Sequence, residues 1–257
     1  IIHQIRQMSG AHASRILAFN VDAGALHKCD AVTGTNKSDQ RRWSKVWFGF
    51  PHVGAGHKDE HRNVLANQLL ILRFLISVAP YLTEGPLPEA IQGRKRRAAS
   101  EDDEDDEEYI ESANDIPDVS ATSLPPRRQG SVLITIRNVV PYTLWNIPML
   151  GKRLRDVLQP IAASAPSPPK GMRAPTVSDV DKNGAQYVLW RSFEFVPSDW
   201  PGYSHRRTVG FVEGLSTSHN EDLLRRPTQP PQQGQPSGRH VGTGECRTYE
   251  LALRPVH

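Results

Sequence analysis

The chain is poor in cysteine, in aromatic residues and in long apolar runs. Its 257 residues include two cysteines, Cys29 and Cys246, too few for a disulfide framework or a structural zinc set, so a reducing compartment is expected. The most apolar window, Val64 to Ala79, is shorter than a bilayer span and contains Arg73, which predicts a buried helix and no membrane partner. A net charge of only +3 is compatible with a nucleic-acid partner without favouring one strongly.

Proline and glycine are plentiful but unevenly distributed, with 21 and 19 residues. Between residues 84 and 130, a basic run from Gly93 to Arg97 is followed by an acidic run from Glu101 to Glu108. Such sequence buries too little apolar surface to offset the entropy lost on ordering it. The sequence therefore predicts an ordered part over 1–83, a disordered insertion over 84–130, and a second ordered part over 131–257 with Pro-rich loops at 159–185 and 225–239.

Apolar periodicity predicts the secondary structure. Buried strands are expected at Arg15 to Ala23, Lys45 to Phe50, Ser131 to Asn138, Gln186 to Val196 and Cys246 to Leu253. Helices are expected from about Glu60 to Ala79, where Pro80 stops the pattern, and between Pro141 and Leu158. The second helix would bury Ile147, Leu150, Leu154 and Leu158. Strands alternating with helices favour an α/β fold with a parallel sheet covered on both faces and a closing antiparallel pair.

Ends of predicted strands carry the candidate functional residues, because open α/β sheets bind ligands beyond the carboxyl ends of their strands. Asp22 ends the first strand, either to hold a polar group of a nucleotide-like ligand or as a helix N-cap or turn residue. His52, His57 and His61 follow the second strand. Their spacing does not fit one helix face and no cysteine or carboxylate set accompanies them, so no metal site is expected.

The stretch GFPHVG, Gly49 to Gly54, ends the second strand abruptly. Gly49 removes a side chain, Pro51 fixes φ and removes a donor, and Phe50 offers a ring for stacking a flat group. The alternative is a plain strand-to-helix turn that uses glycine and proline as punctuation.

A third segment, WPGYSHRRT from Trp200 to Thr208, mixes aromatic and basic side chains. Aromatic rings stack on bases and arginines pair with phosphates, which indicates a nucleic-acid contact. The alternative is an exposed loop whose Trp200 and Tyr203 pack on the domain.

Four segments together resemble one family. FGFPHVG, NQLLILRFL, GSVLITIRNVVPYTLWNI and WPGYSHRRT follow one another as in the eukaryotic large-subunit (25S) ribosomal RNA uridine-N3 methyltransferases. The resemblance implies an S-adenosyl-L-methionine-dependent class I methyltransferase with a Rossmann-like sheet in the order 3-2-1-4-5-7-6, strand 7 being antiparallel. The predicted strands at Arg15, Lys45, Ser131, Gln186 and Cys246 would be family strands 3, 4, 5, 6 and 7.

The resemblance also implies the roles of individual residues. A flipped target uracil would lie against Phe50, Pro51 and His52, with His52 as the candidate base. The cofactor S-adenosyl-L-methionine would be bound by Asp22, Ala23 and Gly49. The RNA would be bound by Tyr142, Trp145, Tyr203, His205, Arg206 and Arg207. The implied partner is ribosomal RNA or a pre-ribosome, the implied location is the nucleus and nucleolus, and a monomer without metal is expected.

Family strands 1 and 2, with their glycine-rich cofactor loop, have no counterpart in this sequence. The expectation is therefore an incomplete sheet and a C-terminal fragment that binds cofactor and folds poorly alone, while the intact parent protein methylates rRNA. One alternative is a non-catalytic RNA-binding or ribosome-assembly protein that lacks the cofactor loop. Another is an interaction protein whose charged insertion is the working part.

Overall fold

The computed structural model describes residues 18, 20–35, 41–54, 59–87, 128–167, 172–200, 203 and 245–255. The strands are β1 (Lys45–Gly49), β2 (Ser131–Arg137), β3 (Tyr187–Glu194) and β4 (Cys246–Leu253). The α-helices are α1 (Asp30–Thr33), α2 (Glu60–Val78), α3 (Ile147–Lys152), α4 (Leu154–Ser164) and α5 (Val177–Asn183). Short 3-10 helices cover Ala23–Lys28, Ala79–Tyr81, Tyr142–Trp145 and Pro197–Asp199.

These strands form one mixed sheet in the order β1-β2-β4-β3. β1 and β2 are parallel, and β4 is antiparallel to β2 and to β3. This is the order that the resemblance implied for family strands 4, 5, 7 and 6, so the four strand predictions and their arrangement are confirmed. A register shift between Leu189 and Arg191 marks a bulge in β3, which bends that strand and leaves Trp190 out of the ladder.

One face of the sheet carries the hydrophobic core. Val132, Ile134 and Leu251 are fully buried there, and they alternate along their strands with side chains of the other face. Helix α2 lies against this core through Phe74, whose ring centre is 4.4 Å from that of Phe48. Trp145 of the 142–145 turn and apolar residues of α3 and α4 belong to the same cluster.

Helix α2 confirms the prediction for residues 60–79. Asp59 caps its first turn by accepting a hydrogen bond from the backbone N–H of Arg62, and a 3-10 turn containing Pro80 follows its end. By length and composition alone, Glu60–Tyr81 could cross a membrane, yet 67% of its most apolar window is buried inside the protein. The apolar sequence of α2 is accounted for by its central position between the sheet and the other helices.

The predicted strand at Arg15 to Ala23 is wrong for the residues of that stretch that the structure describes. Asn20 has a left-handed φ of 56°, and Asp22 caps the 3-10 helix that starts at Ala23. A carboxylate that accepts from the backbone two residues ahead favours a turn over an extended chain. β1 is a strand as predicted, but it is not buried, since its residues alternate between exposed and half-buried.

The single helix expected between Pro141 and Leu158 is wrong, because the segment is divided. A 3-10 turn ends at Asn146, whose φ of 48° and side chain start α3, and α3 gives way to α4 at Arg153. The predicted apolar face is nevertheless confirmed by four buried side chains: Ile147, Leu150, Leu154 and Leu158.

The Pro-rich loop expected at 159–185 is also wrong, because helices occupy much of it. α4 continues past Pro160 to Ser164, since Leu158 and Ile161 are buried on the core side. α5 begins at a capping box in which Thr176 and Asp179 each accept from the other's backbone N–H. The proline content of this segment favours a loop, but buried Leu158 and Ile161 and the capping box at Thr176 favour helices.

Hydrogen bonds join the two ends of the segment that was predicted to be an insertion. The backbone N–H of Gly85 donates to Oε1 of Gln129 at 2.8 Å, and the N–H of Gly130 donates to the carbonyl of Thr83 at 2.8 Å. A Cβ on Gly130 would lie 2.7 Å from the Cβ of Leu82, so glycine is required at this close approach. Residues 88–127, and the loop predicted at 225–239, lie outside the described part of the chain.

Candidate functional site

The turn after β1 is held tightly to the sheet. Phe50 has a left-handed φ of 50°, and its backbone N–H donates to the carbonyl of Thr135 on β2 at 2.8 Å. A large residue at positive φ is strained and persists only where its surroundings fix it. Pro51 is buried and His52 is exposed, so the turn presents the imidazole at the carboxyl edge of the sheet.

Two further hydrogen bonds fix the same turn. The backbone N–H of Val53 donates to Oδ1 of Asn67 on α2 at 2.9 Å. The backbone N–H of Gly54, at a φ of 69°, donates to Nδ1 of His52 at 2.8 Å. The GFPHVG segment is therefore a turn whose conformation is fixed by hydrogen bonds. Gly54 adopts a backbone conformation in it that other residues rarely adopt.

Residues of the turn after β2 lie next to His52. The ring centres of His52 and Trp145 are 6.1 Å apart, and those of Trp145 and Tyr142 are 5.2 Å apart. The guanidinium of Arg137 lies 5.6 Å above the ring of Tyr142. The fold thus brings together three predicted site residues: His52, which follows β1, and Tyr142 and Trp145, which follow β2. They lie close together because β1 and β2 are parallel neighbours, so their carboxyl ends lie at the same edge of the sheet.

Trp145 and Tyr142 differ in how deeply they are buried. Trp145 is only 1% exposed, so its ring packs in the core and offers no face to a base in this conformation. Among the described residues its indole N–H has no hydrogen-bond partner, a cost of about 1–3 kcal/mol for a buried donor. Tyr142 is only partly buried, so part of its side chain remains exposed.

A second aromatic cluster covers the other side of the same edge. Trp47 and Trp200 stack with ring centres 6.4 Å apart and planes at 17°. Phe195 lies 5.7 Å from Trp47 and 5.4 Å from Tyr203. Trp47 is 48% exposed and Trp200 is 54% exposed. Sequence analysis singled out Trp200 and Tyr203 but missed Trp47 and Phe195, although both stand near the ends of predicted strands.

Gly49 makes room for Trp47. A Cβ at position 49 would lie 3.0 Å from Cζ2 of the indole, closer than a side chain tolerates without moving its neighbour. The indole is held in place because its Nε1–H donates to Oγ1 of Thr135 at 2.8 Å. The space beside Gly49 is therefore filled by Trp47.

Burial raises the pKa of two side chains near this edge. It raises the pKa of Tyr203 to about 12, with a smaller contribution from the negative charge of Cys246 once its thiol is ionised. It also raises the pKa of Cys246 to about 11, and the charge of Arg137 offsets only part of that rise. Cys246 is therefore a neutral thiol at physiological pH and is unsuited to nucleophilic chemistry.

Asp22 lies in a separate contact. Its Oδ1 accepts from the N–H of Gly24 at 2.8 Å, which confirms the capping alternative, and its Oδ2 accepts from Arg73 at 3.1 Å. Arg73 is 9% exposed, and a Cβ on Gly24 would lie 2.7 Å from its Cζ. Arg73, the single arginine in the apolar window Val64 to Ala79, was the sequence signal for this partly buried ion pair. Ala23 begins the capped 3-10 turn.

The remaining predicted contacts, His205, Arg206 and Arg207, lie outside the described residues. Within the described ranges, no group of three or more histidine, cysteine, aspartate or glutamate side chains could hold a metal ion.

Comparison with known proteins gives two matches. The family model of BMT5-like proteins, described as "rRNA (uridine-N3-)-methyltransferase BTM5-like", matches residues 3–207. A Saccharomyces cerevisiae protein named 25S rRNA (uridine(2634)-N(3))-methyltransferase is 26% identical over 178 residues, which is 67% of this chain and 40% of that protein. The chain thus aligns with less than half the length of this curated relative. No solved structure matches.

Proposed function

The chain belongs to the BMT5-like rRNA (uridine-N3-)-methyltransferase family, and from this premise we propose that it methylates N3 of a uridine in large-subunit ribosomal RNA. The observation that supports this best is the turn carrying Phe50, Pro51 and His52. It ends a parallel strand and is fixed by three hydrogen bonds, and the ring centre of its His52 lies 6.1 Å from that of Trp145 in the neighbouring turn.

The target base fits this edge in chemical terms. An uracil flipped out of an RNA strand needs a stacking surface and hydrogen-bonding groups for its imide edge. Phe50, His52 and Tyr142 supply rings, and His52 supplies polar ring nitrogens. Methyl transfer is a direct displacement, so alignment of N3 with the donor carbon contributes most of the rate.

The residues that resemblance assigns to the cofactor fit it in part. S-adenosyl-L-methionine supplies an electrophilic methyl group on a sulfonium. Asp22 accepts two hydrogen bonds, and a carboxylate has about four acceptor positions, so it has capacity for a ribose or adenine donor beside Ala23. Gly49 faces the Trp47 indole, so we propose Asp22 and Ala23 as cofactor contacts and give Gly49 the steric role.

The expected partner is ribosomal RNA within a pre-ribosome, which places the protein in the nucleolus. Tyr142, Tyr203 and the basic segment His205–Arg207 are the proposed RNA contacts. A non-catalytic RNA-binding role is the second candidate. It is favoured by Trp47 and Trp200, whose half-exposed stacked rings offer a surface on which bases can stack without methyl transfer.

Methyl transfer from labelled cofactor to large-subunit rRNA tests the proposal, with N3-methyluridine identified by mass spectrometry. Pro51→Ala and His52→Ala should each lower the rate at least tenfold. Thr176→Ala, which removes side-chain bonds to Asp179 in the capping box of α5, should leave the rate unchanged. Unchanged rates for both site variants would reject the site. RNA binding without any methyl transfer would favour the second candidate.

A further inference from the structure

Helix α2 buries a polar side chain next to the GFPHVG turn. Asn67 is 1% exposed in the middle of an apolar helix. A buried amide there is costly unless its groups are paired. All of its polar atoms are paired: Oδ1 accepts from Val53, while Nδ2 donates to the carbonyl and to Oδ1 of Asn63 at 2.9 and 2.6 Å.

These bonds fix the orientation of the amide. Both bonds from Nδ2 go to acceptors one helical turn away on α2, so Oδ1 must face the turn after β1. There it binds the backbone N–H of Val53, the residue between His52 and Gly54. Asn67 therefore attaches the GFPHVG turn to the most buried helix of the fold.

The conformation of this turn determines which ring nitrogen of neutral His52 carries the proton. The backbone N–H of Gly54 donates to Nδ1 of His52 at 2.8 Å. A ring nitrogen that accepts a hydrogen bond carries no proton, so the neutral imidazole is protonated on Nε2. A histidine in this tautomer offers the substrate a hydrogen-bond donor at Nε2, whereas a base needs a lone pair there.

We propose that Asn67 is a positioning residue of the uridine site, and that the turn it holds makes His52 a hydrogen-bond donor to a carbonyl oxygen of the target uracil. This rests on the proposed function and replaces the base role that the resemblance suggested. Loss of the N3 proton spreads negative charge onto the two carbonyl oxygens, and a preorganised N–H donor stabilises charge that develops there.

The chemical step balances without a histidine base. The N3 proton passes to water or hydroxide. The N3 electron pair forms the new bond to the methyl carbon, and the carbon–sulfur bond of the sulfonium breaks with its electron pair remaining on sulfur. His52 keeps its proton throughout.

Nitrogen-15 NMR of the histidine rings tests the tautomer without any activity assay. The His52 signals, assigned by their loss in His52→Gln, should show a protonated Nε2 and an unprotonated Nδ1 at a pH where the ring is neutral. A proton on Nδ1 would overturn the proposal, whether or not the protein methylates RNA. If the tautomer is as stated and no RNA is methylated, the proposed function fails instead.

Kinetics of two His52 variants then separate donor from base. Removing one such donor costs about 10²–10³ in kcat in other enzymes, so His52→Ala should lose about 10²-fold. His52→Gln keeps an N–H donor and should retain activity within about tenfold of the wild type. The wild-type rate should keep rising with pH after the ring is neutral. A plateau at that point, with Gln as inactive as Ala, would show that His52 is the base.

Variants of Asn67 test the positioning role. Asn67→Leu should lower kcat by about 10–10²-fold, as small misplacements do, with little change in KM, and should weaken the tautomer signature of His52. Asn67→Asp keeps an acceptor for Val53 but places a second oxygen against the carbonyl and Oδ1 of Asn63, so it should restore only part of both. Asn183→Leu is the matched control, since it removes a different amide bond to the same helix, to the carbonyl of Ile76. Equal kcat losses in Asn67→Leu and Asn183→Leu would reduce Asn67 to a structural role.

Discussion

The two faces of the sheet are stabilised in different ways. The core face buries Val132, Ile134 and Leu251 against helices, and burial of this kind is non-directional. The other face buries a carboxylate: Glu250 has a fully buried side chain, and its oxygens accept from Lys45 and Arg191 at 2.8 Å each. The first face is therefore stabilised by the volume and shape of its apolar side chains, whereas the carboxylate on the second is stabilised only while its donors are present.

The polar face is a chain of specific pairs. Ser131 donates to Oε1 of Glu250 at 2.6 Å. Lys45 and Arg191 also lie 5.3 and 5.0 Å from the ring centre of Trp190, which the bulge in β3 leaves out of the ladder. Burial alone raises the pKa of Glu250, but hydrogen bonds from Lys45, Ser131 and Arg191 outweigh it and hold that pKa below its usual value.

The largest effect is expected on the core face. Leu72 is 0% exposed in α2, and Leu72→Ala should lower the free energy of unfolding by about 3–5 kcal/mol, because lost transfer energy and a cavity add. Urea denaturation measures it. The matched control is Leu144→Ala, at a side chain that is 49% exposed, which should change stability by less than about 1 kcal/mol. Similar losses in both variants would contradict the assignment of the core.

A smaller loss of stability is expected when the buried carboxylate on the polar face loses both of its cationic partners. Lys45→Met with Arg191→Met leaves Glu250 buried without its cations. We expect a loss of about 2–3 kcal/mol, below the range for fully buried pairs because the two cations are about half exposed.

Adding Glu250→Leu to that double variant distinguishes the two faces. This triple variant, with apolar residues at all three positions, should recover most of the stability that the double variant loses. Replacing a whole buried ion cluster by apolar residues often changes the free energy of unfolding little. Denaturant midpoints of the double and triple variants give the comparison. A triple variant less stable than the double would show that the polar face contributes more than charge compensation.

Acid should weaken the polar face by less than removal of both cations. The folded-state pKa of Glu250 lies below its usual value of 4.5, so its contribution is present above about pH 4.5 and is lost as pH falls through the folded value. Unfolding at pH 7 and pH 3 should show this loss in the wild type. Glu250→Gln should be less stable at pH 7 and should lose less between the two pH values. An identical pH dependence in both would contradict it.

The smallest effect is expected where the polar face meets the candidate site. Trp47→Phe keeps the ring but removes the bond to Thr135, whose hydroxyl still pairs with Thr248 at 2.8 Å. No polar group is left unpaired, so the loss should be about 0.5–1.5 kcal/mol by thermal or urea unfolding. A loss above about 3 kcal/mol would show that the indole contributes far more than one hydrogen bond.

Sequence reasoning found the elements with strong periodicity. β4 was bounded correctly at Cys246 and Leu253, and α2 to within one residue at its end. Proline content misled it between 159 and 185, because Pro160 lies inside α4 and the Thr176 capping box was not recognised. At the candidate site, His52 and the turn after β1 were predicted, but Asn67 was not. Asn67 lies near His52 in space only because α2 folds back over the sheet.

The sequence by itself determined the four strands of the sheet, the central helix and the family to which the chain belongs, because these depend on local patterns and residue order. Tertiary structure alone decided that Trp145 is core, that Trp47 fills the space beside Gly49, and that Asn67 holds the turn of His52. Trp145 and Asn67 are placed by residues distant in sequence, and Trp47, only two residues from Gly49, is held beside it by the distant Thr135. Side-chain periodicity specifies which face an element buries, but only the packed arrangement specifies which polar group meets which.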